Sequence, residues 1–358
     1  MARPMLKWVF PSCLVLSLGL GSLQAQTQKK IVTVDSISPV PGLHAHPPIA
    51  MPTTRPGSRE ALSKKGLSRN ARHASSNRAA SNESSEGGSL RFPADLQYDG
   101  GPVVRYAQNH SVFLNSTKAC PPNSCFGDPI GFLDDLGRSQ FIHLTDQYVH
   151  AHASHRYTNG TNYAVPGYTP SAGAGKPFTN EDMAVVAYAL AAASGDFGLN
   201  HVYHLFLPPG QDVCFDSTFS VCYSPDNQDT WHFCAYHSAA EDANGNIALF
   251  TVIPFVNAPG CNVRPGTPNG QKADSTNNTL SHELIETVTD PFGDAWWNQV
   301  NLLLFGEEIA DECIFEYFTE TEAFSDPSLV RLNHKLYAIQ PEYSNRQHAC
   351  STGLGDDD

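Results

Sequence analysis

This sequence has no G-x-S-x-G, no P-loop and no G-x-G-x-x-G after a strand-like run. Serine-nucleophile, nucleoside-triphosphate and dinucleotide chemistry therefore have no motif to rest on. It has no C-x-x-C pair either, so the usual thiolate spacing of a zinc site is missing. After the first 25 residues no apolar run is long enough to cross a bilayer, and no internal repeat is visible. Positive charge is scarce over most of the length. From Arg91 onward there are eleven Lys and Arg against thirty-two Asp and Glu, a net of −21, whereas residues 26–90 hold nine against four. So acidic a body is poorly suited to neutralising phosphates, which argues against a nucleic-acid partner. It suits cation binding, solubility or an acidic extracellular setting.

What is present begins with an export signal. Arg3 and Lys7 precede an apolar run from Trp8 to Leu20, and small residues follow with cleavage expected after Ala25. Residues 1–25 are therefore read as a signal peptide, and the mature protein as secreted, with no transmembrane segment. Residues 26–97 are rich in Ser, Arg, Asn, Pro and Gly without sustained apolar period, the composition of a disordered basic linker, propeptide or tether. A globular domain is expected over 98–350 and a flexible acidic tail over 351–358. Cys13 leaves with the signal. The eight remaining cysteines, an even number in an exported chain, favour a disulfide framework over zinc thiolates. Cys120–Cys125 and Cys214–Cys222 are the simplest local loops.

Within the body, Val103 to Leu114 reads as a strand, and Pro129 to Val149 as an amphipathic helix that Gly137 splits. Residues 150–177 look irregular, so His150, His152 and His155 are assigned to a surface loop. Thr179 and Asp182 form a capping pair for a helix that runs to Gly195. His201 to Leu207 reads as a strand, which makes His201 and His204 strand residues rather than ligands. Two more strands follow, around Trp231 to Ser238 and Ile247 to Val256, separated by an Asn244-Gly245 turn. A helix capped by Ser275 or Asn277 and ended by Pro291 comes next, and Leu332 to Ile339 is a last strand. The expected class is α+β: a mixed sheet with a zincin-like metal-site helix in a disulfide-stabilised single domain.

The chemistry concentrates in Ser281 to Pro291. At about 100° per residue, His282 and Glu286 project from the same face of a helix, with Glu283 slightly around it. An imidazole and a carboxylate one turn apart can grip a divalent metal, and a neighbouring glutamate can serve as base toward water activated by it. This is the H-E-x-x-H logic with glutamate in place of the second histidine. Downstream, Glu308 and Asp311 are three apart and would share a helical face; either can supply a third ligand while the other orients one. His237, between strand-like segments, is a further ligand or a donor to the transition state. Trp296 and Trp297 read as packing or as the wall of a cleft able to stack on sugar rings.

Taken in order, Asp99-Gly100-Gly101-Pro102-Val103, Cys234-Ala235-Tyr236-His237, His282 to Glu286, Ala295-Trp296-Trp297 and Glu308 to Cys313 give a chain that resembles the EXORDIUM/phosphate-induced protein family over residues 98–340. That family shows G-G-P-V, C-G-x-H-G, H-E-L-A-E, A-W-Y and E-I-A-D-x-C. Here Ile285 stands for alanine, Trp297 for tyrosine, Glu312 follows Asp311, and the histidine of the second motif has lost its flanking glycines. None of these changes removes a potential ligand. The resemblance implies a secreted protein of the cell-wall environment and brings no established reaction. The residues themselves point to a zinc-dependent, peptidase-like hydrolase, with His282 and Glu286 as metal ligands, Glu308 or Asp311 completing the set, and Glu283 and His237 as catalytic groups. The alternative is a non-catalytic extracellular module in which a structural metal, zinc or calcium, fixes a surface for peptide or cell-wall polymer.

Overall fold

Both faces of a strand can be apolar only when both faces of its sheet are covered. Phe233–Glu241 buries every residue but the last, and Ile247–Ile253 every residue but the first. Helices therefore have to lie on either side of them, and they do. The structure, a computed structural model, describes residues 30–53, 94–301, 304–317 and 328–353. Residues 1–29, which include the expected signal peptide, and residues 54–93, 302–303, 318–327 and 354–358 fall outside that set.

Nine strands make the main sheet: β1 (Ile31–Thr33), β2 (His44–Ala45), β3 (Ile49–Pro52), β4 (Ala107–Leu114), β5 (Tyr157–Asn159), β6 (Asn162–Val165), β7 (Gly198–Phe206), β8 (Phe233–Glu241) and β9 (Ile247–Ile253). Their order is β1-β6-β4-β7-β9-β8-β2, with β5 also on β4 and β3 also on β8. From β1 to β9 every pairing is parallel; β8 is antiparallel to β9 and to β2 and β3. Four helices matter here: α1 (Pro129–Gly137), α2 (Asn180–Ser194), α3 (Gln271–Thr289) and α4 (Asp311–Tyr317). Met183, Val186, Ala187 and Leu190 of α2 pack with Tyr203, Leu205, Tyr236, Phe250 and Val252 on one face. Leu280, Leu284 and Val288 of α3, with Ile130, Leu133 and Leu136 of α1, pack with Val202, Phe206, Ala235, Ala239, Leu249 and Ile253 on the other. The alternate residues of each strand thus sort to opposite faces.

The mixed sheet is as expected, but the α+β segregation of strands from helices is corrected. α1 lies in the chain between β4 and β5, and α2 between β6 and β7, on opposite faces of the sheet, whereas β7, β8 and β9 follow one another with no helix between them and α3 comes after β9. The linker reading is also corrected for residues 30–53. β1 adds to β6 at one edge, while β2 and β3 zip onto β8 at the other. Ile31 to Thr33 pair the first edge and His44, Ala45 and Ile49 to Met51 the second, where an edge strand's backbone donors and acceptors need partners. Averaged composition over 26–97 concealed that short run. Residues 150–177, expected to be irregular, contain β5 and β6; His150, His152 and His155 are exposed as anticipated.

All eight cysteines after Cys13 are paired: Cys120–Cys125, Cys214–Cys222, Cys234–Cys261 and Cys313–Cys350. The last joins α4 to the C-terminal strand Ala349–Ser351 across a separation of 37 residues. Closing a loop of that size removes roughly 4 kcal/mol of chain entropy from the unfolded state. Among the described residues no helix is long and apolar enough to cross a membrane.

Candidate metal centre

α3 is an unusual helix to bury. Every residue from Ala273 to Thr289 is buried, and most are polar. The hydroxyls make this tolerable by bonding back to carbonyls four residues earlier: Ser275 to Gln271, Thr279 to Ser275, Thr287 to Glu283 and Thr289 to Ile285, at 2.6–2.9 Å. The helix starts at Gln271 after Gly270, whose φ of 86° reverses the chain, rather than at the expected Ser275 or Asn277 cap. It ends where expected, with Asp290 N–H bonded to Glu286 O ahead of Pro291. Its apolar side faces the sheet, which leaves His282, Glu283 and Glu286 to face β8 and the C-terminal segments.

Three elements then converge on those side chains. His237 projects from β8 on the α3 face, since it alternates with Tyr236 and shares the face of Ala235 and Ala239. Glu308 comes from the turn before α4, and Asp311 from the first residue of α4. The expectation that Glu308 and Asp311 share a helical face is therefore corrected: the helix begins too late to include Glu308. His237, His282, Glu283, Glu286 and Glu308 are wholly inaccessible, and Asp311 is 5% exposed.

His282 Nε2 stands 3.1 Å from Glu286 Oε2 and 3.5 Å from Asp311 Oδ1. Yet His282 Nε2 and Glu286 Oε2 form no hydrogen bond. The other nitrogen, Nδ1, donates to Gln340 Oε1 at 3.2 Å. Gln340 is itself held, its amide group donating to Ala310 O at 2.8 Å and its backbone N–H to Asn278 Oδ1 at 2.6 Å. Its oxygen must then face the histidine, which puts the ring proton on Nδ1 and the lone pair of Nε2 toward the carboxylates. His237 repeats the pattern. Nε2 donates to Asp290 O at 3.2 Å, and Nδ1 faces Glu283 Oε2 at 3.4 Å and Glu286 Oε2 at 3.7 Å. Glu308 Oε2 lies 3.6 Å from His237 Nε2. An outward N–H anchored on an amide or carbonyl, with the lone pair turned inward, is how a metal-binding imidazole is oriented.

Electrostatically, the cluster sets buried carboxyls against one another. Burial, and then the charge of Glu286, push the carboxyls of both Glu283 and Glu342 well above the usual range. The Met51 backbone N–H opposes this at Glu283 without reaching hydrogen-bonding geometry. Neither oxygen of Glu283 or of Glu342 has a hydrogen-bond partner, and no Lys or Arg contributes to either group. Unpaired buried carboxylates cost several kcal/mol each unless protonated or compensated. A divalent ion compensates them. Two groups of ligand atoms have the spacing to hold one: His282, Glu286 and Asp311, and His237, Glu286 and Glu308, each with one atom per residue within 4.8 Å of the others.

All six residues singled out in the sequence are thus brought together, although Glu308 and Asp311 fall to different groups. Sequence reasoning missed Glu342, Gln340 and the Asp290 carbonyl. Glu342, a carboxylate among apolar neighbours in Tyr337 to Tyr343, was the one with a visible signal. A third group, His110, Asp196 and His201, also has ligand spacing. There the contacts form a chain: His201 Nδ1 donates to His110 Nε2 at 3.0 Å, and His110 Nδ1 to Thr161 O at 2.9 Å. Burial lowers the pKa of His110 to about 4, so it is neutral and satisfied without an ion. His204 likewise bridges Thr251 and Asn109 beneath α3 and is kept neutral, its pKa lowered to about 3 by burial and then by His110. It is the strand residue the sequence suggested. No protein family, curated protein or solved structure matches the chain.

Proposed function

We propose that this protein is a secreted, EXORDIUM-like metal-dependent hydrolase of zincin-like character, with zinc as the ion and a peptide or cell-wall polymer as substrate. The observation that carries the reading is the convergence of His282 Nε2 and Glu286 Oε2, 3.1 Å apart, buried and not hydrogen-bonded. Two electron-pair donors point at a common space instead of at protons. His282 and Glu286 would hold the ion with Asp311, which pairs better with them than Glu308 does. Zinc so held acts as a Lewis acid and lowers the pKa of water to about 7. Glu283, with both oxygens unpaired and its carboxyl kept basic by burial, is placed to hold and move the proton. His237, its Nε2–H held by the Asp290 carbonyl, turns the Nδ1 lone pair toward Glu283 and Glu286, so it would serve there as an acceptor or ligand rather than as the donor the sequence suggested. The mixed imidazole and carboxylate set favours zinc over calcium.

A second reading, the non-catalytic module with a structural metal, is favoured by the complete burial of the ligands, since structural sites are closed and catalytic ones keep an open position. In the hydrolase reading β3, paired with β8 opposite His237, has to leave for substrate to enter. The two are separated by one comparison. Full-length protein purified without chelator should contain zinc by elemental analysis, and Glu283→Gln should keep the metal while peptide hydrolysis falls by about 10²–10⁴-fold. Metal bound with no hydrolysis by the wild type would leave the module; no metal in either protein would defeat both.

A further inference from the structure

We infer that the centre takes two divalent ions bridged by Glu286, an inference that rests on the metal reading above and adds the second ion. The geometry divides the ligands. His282 and Asp311 form one group with Glu286, His237 and Glu308 form the other, and among the described residues no group contains both histidines. Ligand atoms on a single ion with bonds of about 2.0–2.2 Å cannot be more than about 4.4 Å apart. The ligand atoms within each group lie within 4.8 Å of one another, close to that limit, and the two histidines share no group. Glu286 is the member in common. Its Oε2 is 3.1 Å from His282 Nε2 and 3.7 Å from His237 Nδ1, while Oε1 is pinned by the Asp311 backbone N–H at 3.2 Å. Asp311 N–H thereby turns the other oxygen of Glu286 toward both imidazoles.

Each histidine has its own anchor. Gln340 holds the ring of His282 and the Asp290 carbonyl holds that of His237, from different parts of the chain. Charge points the same way. Glu283, Glu286, Glu308, Asp311 and Glu342 bring five carboxyls into this buried cluster; one divalent ion offsets at most two negative charges and a pair four. Two ions sharing a carboxylate stabilise both the attacking and the leaving oxygen in hydrolysis, which widens the substrate class from peptides to esters of phosphate.

The test uses the full-length chain, stripped of metal and titrated with Zn²⁺ alone by equilibrium dialysis with elemental analysis. Two equivalents per chain are expected, falling to one in Glu308→Gln and to one in Asp311→Asn. The same titration with Mn²⁺, followed by electron paramagnetic resonance of the wild type, does not depend on any variant folding. At two equivalents it should give the spectrum of exchange-coupled ions. Saturation at one equivalent with an isolated-ion spectrum, His237 then being a hydrogen-bonded residue between Glu283 and Glu308, overturns the second ion and leaves the single-metal function standing. Two equivalents without coupling overturn the shared carboxylate, the second ion then lying elsewhere, as at His110 and His201. Binding of no ion defeats the inference and the proposed function together.

Discussion

α2 and α3 pack on opposite faces of β8 and β9, and they are helical for different reasons. α2 has six alanines in 15 residues, a reciprocal capping box between Thr179 and Asp182, and a left-handed Gly195 at its end. It would favour helix in many settings, because local propensity, cap and stop signal agree. α3 has 19 residues, eight of them Ser, Thr or Asn, no side-chain cap, and no basic residue in its last turn. These are residues that compete with helix through their own hydrogen bonds. What keeps it helical is enclosure: five of its hydroxyls, those of Ser275, Thr276, Thr279, Thr287 and Thr289, bond to its own backbone, and its apolar residues pack on the sheet. A helix made stable by its surroundings can spend His282, Glu283 and Glu286 on a charge cluster that a self-sufficient helix has no need to carry.

That contrast can be broken by experiment. The largest effect should come from metal removal. For an ion present at about 1,000 times its dissociation constant, chelation lowers stability by about 4 kcal/mol. Hydrogen exchange should place the loss of protection in residues 271–289 and spare 180–194; an equal loss over both helices would show that they are stabilised alike. A smaller effect is expected from Gln340→Ala, which frees the His282 ring. Competition against a chromophoric chelator should show metal affinity weakened by about 10–100-fold, and unchanged affinity would mean the ring is oriented by something else. The smallest belongs to α2. Thr179→Ala removes half of the capping box and should cost about 1 kcal/mol in denaturant titration, with metal content unaltered. A fall in bound metal in that variant would tie the two faces together.

The parts of the site that could be read in advance are those set by helical period. His282 and Glu286 are four apart, so any helix through them brings the pair together. The capping box, the Gly195 stop and the two short disulfide loops are local in the same sense, each resting on residues no more than eight apart. His237 and Glu308 were named as candidates, but their division into separate groups depends on where β8 and α4 lie. Gln340 and Glu342 gave little warning, since their importance comes from a strand that folds back beside α3 from more than 50 residues away. The strands at 31–52 were hidden for a related reason: scattered apolar residues such as Ile31, Val32, Ile49 and Met51 form no regular period, and they take meaning only when a sheet edge is there to receive them.

By itself, then, the sequence determined what is local and periodic: the identity of α2, the face shared by His282 and Glu286, the acidic body, and a full set of cysteines for pairing. Tertiary structure alone decided that Ala273 to Thr289 of α3 could be buried, that strands from residues 31–52 would take both edges of the sheet, and that, among the described residues, the carboxylates would meet without a lysine or arginine beside them. The physical reason is that propensity and period act within a turn or two of chain. Desolvation, lone-pair direction and charge compensation arise only when distant segments exclude water from one another. The helix was legible because its geometry is intrinsic. The carboxylate cluster needed the fold, because a carboxylate calls for compensation only after burial has taken its water away.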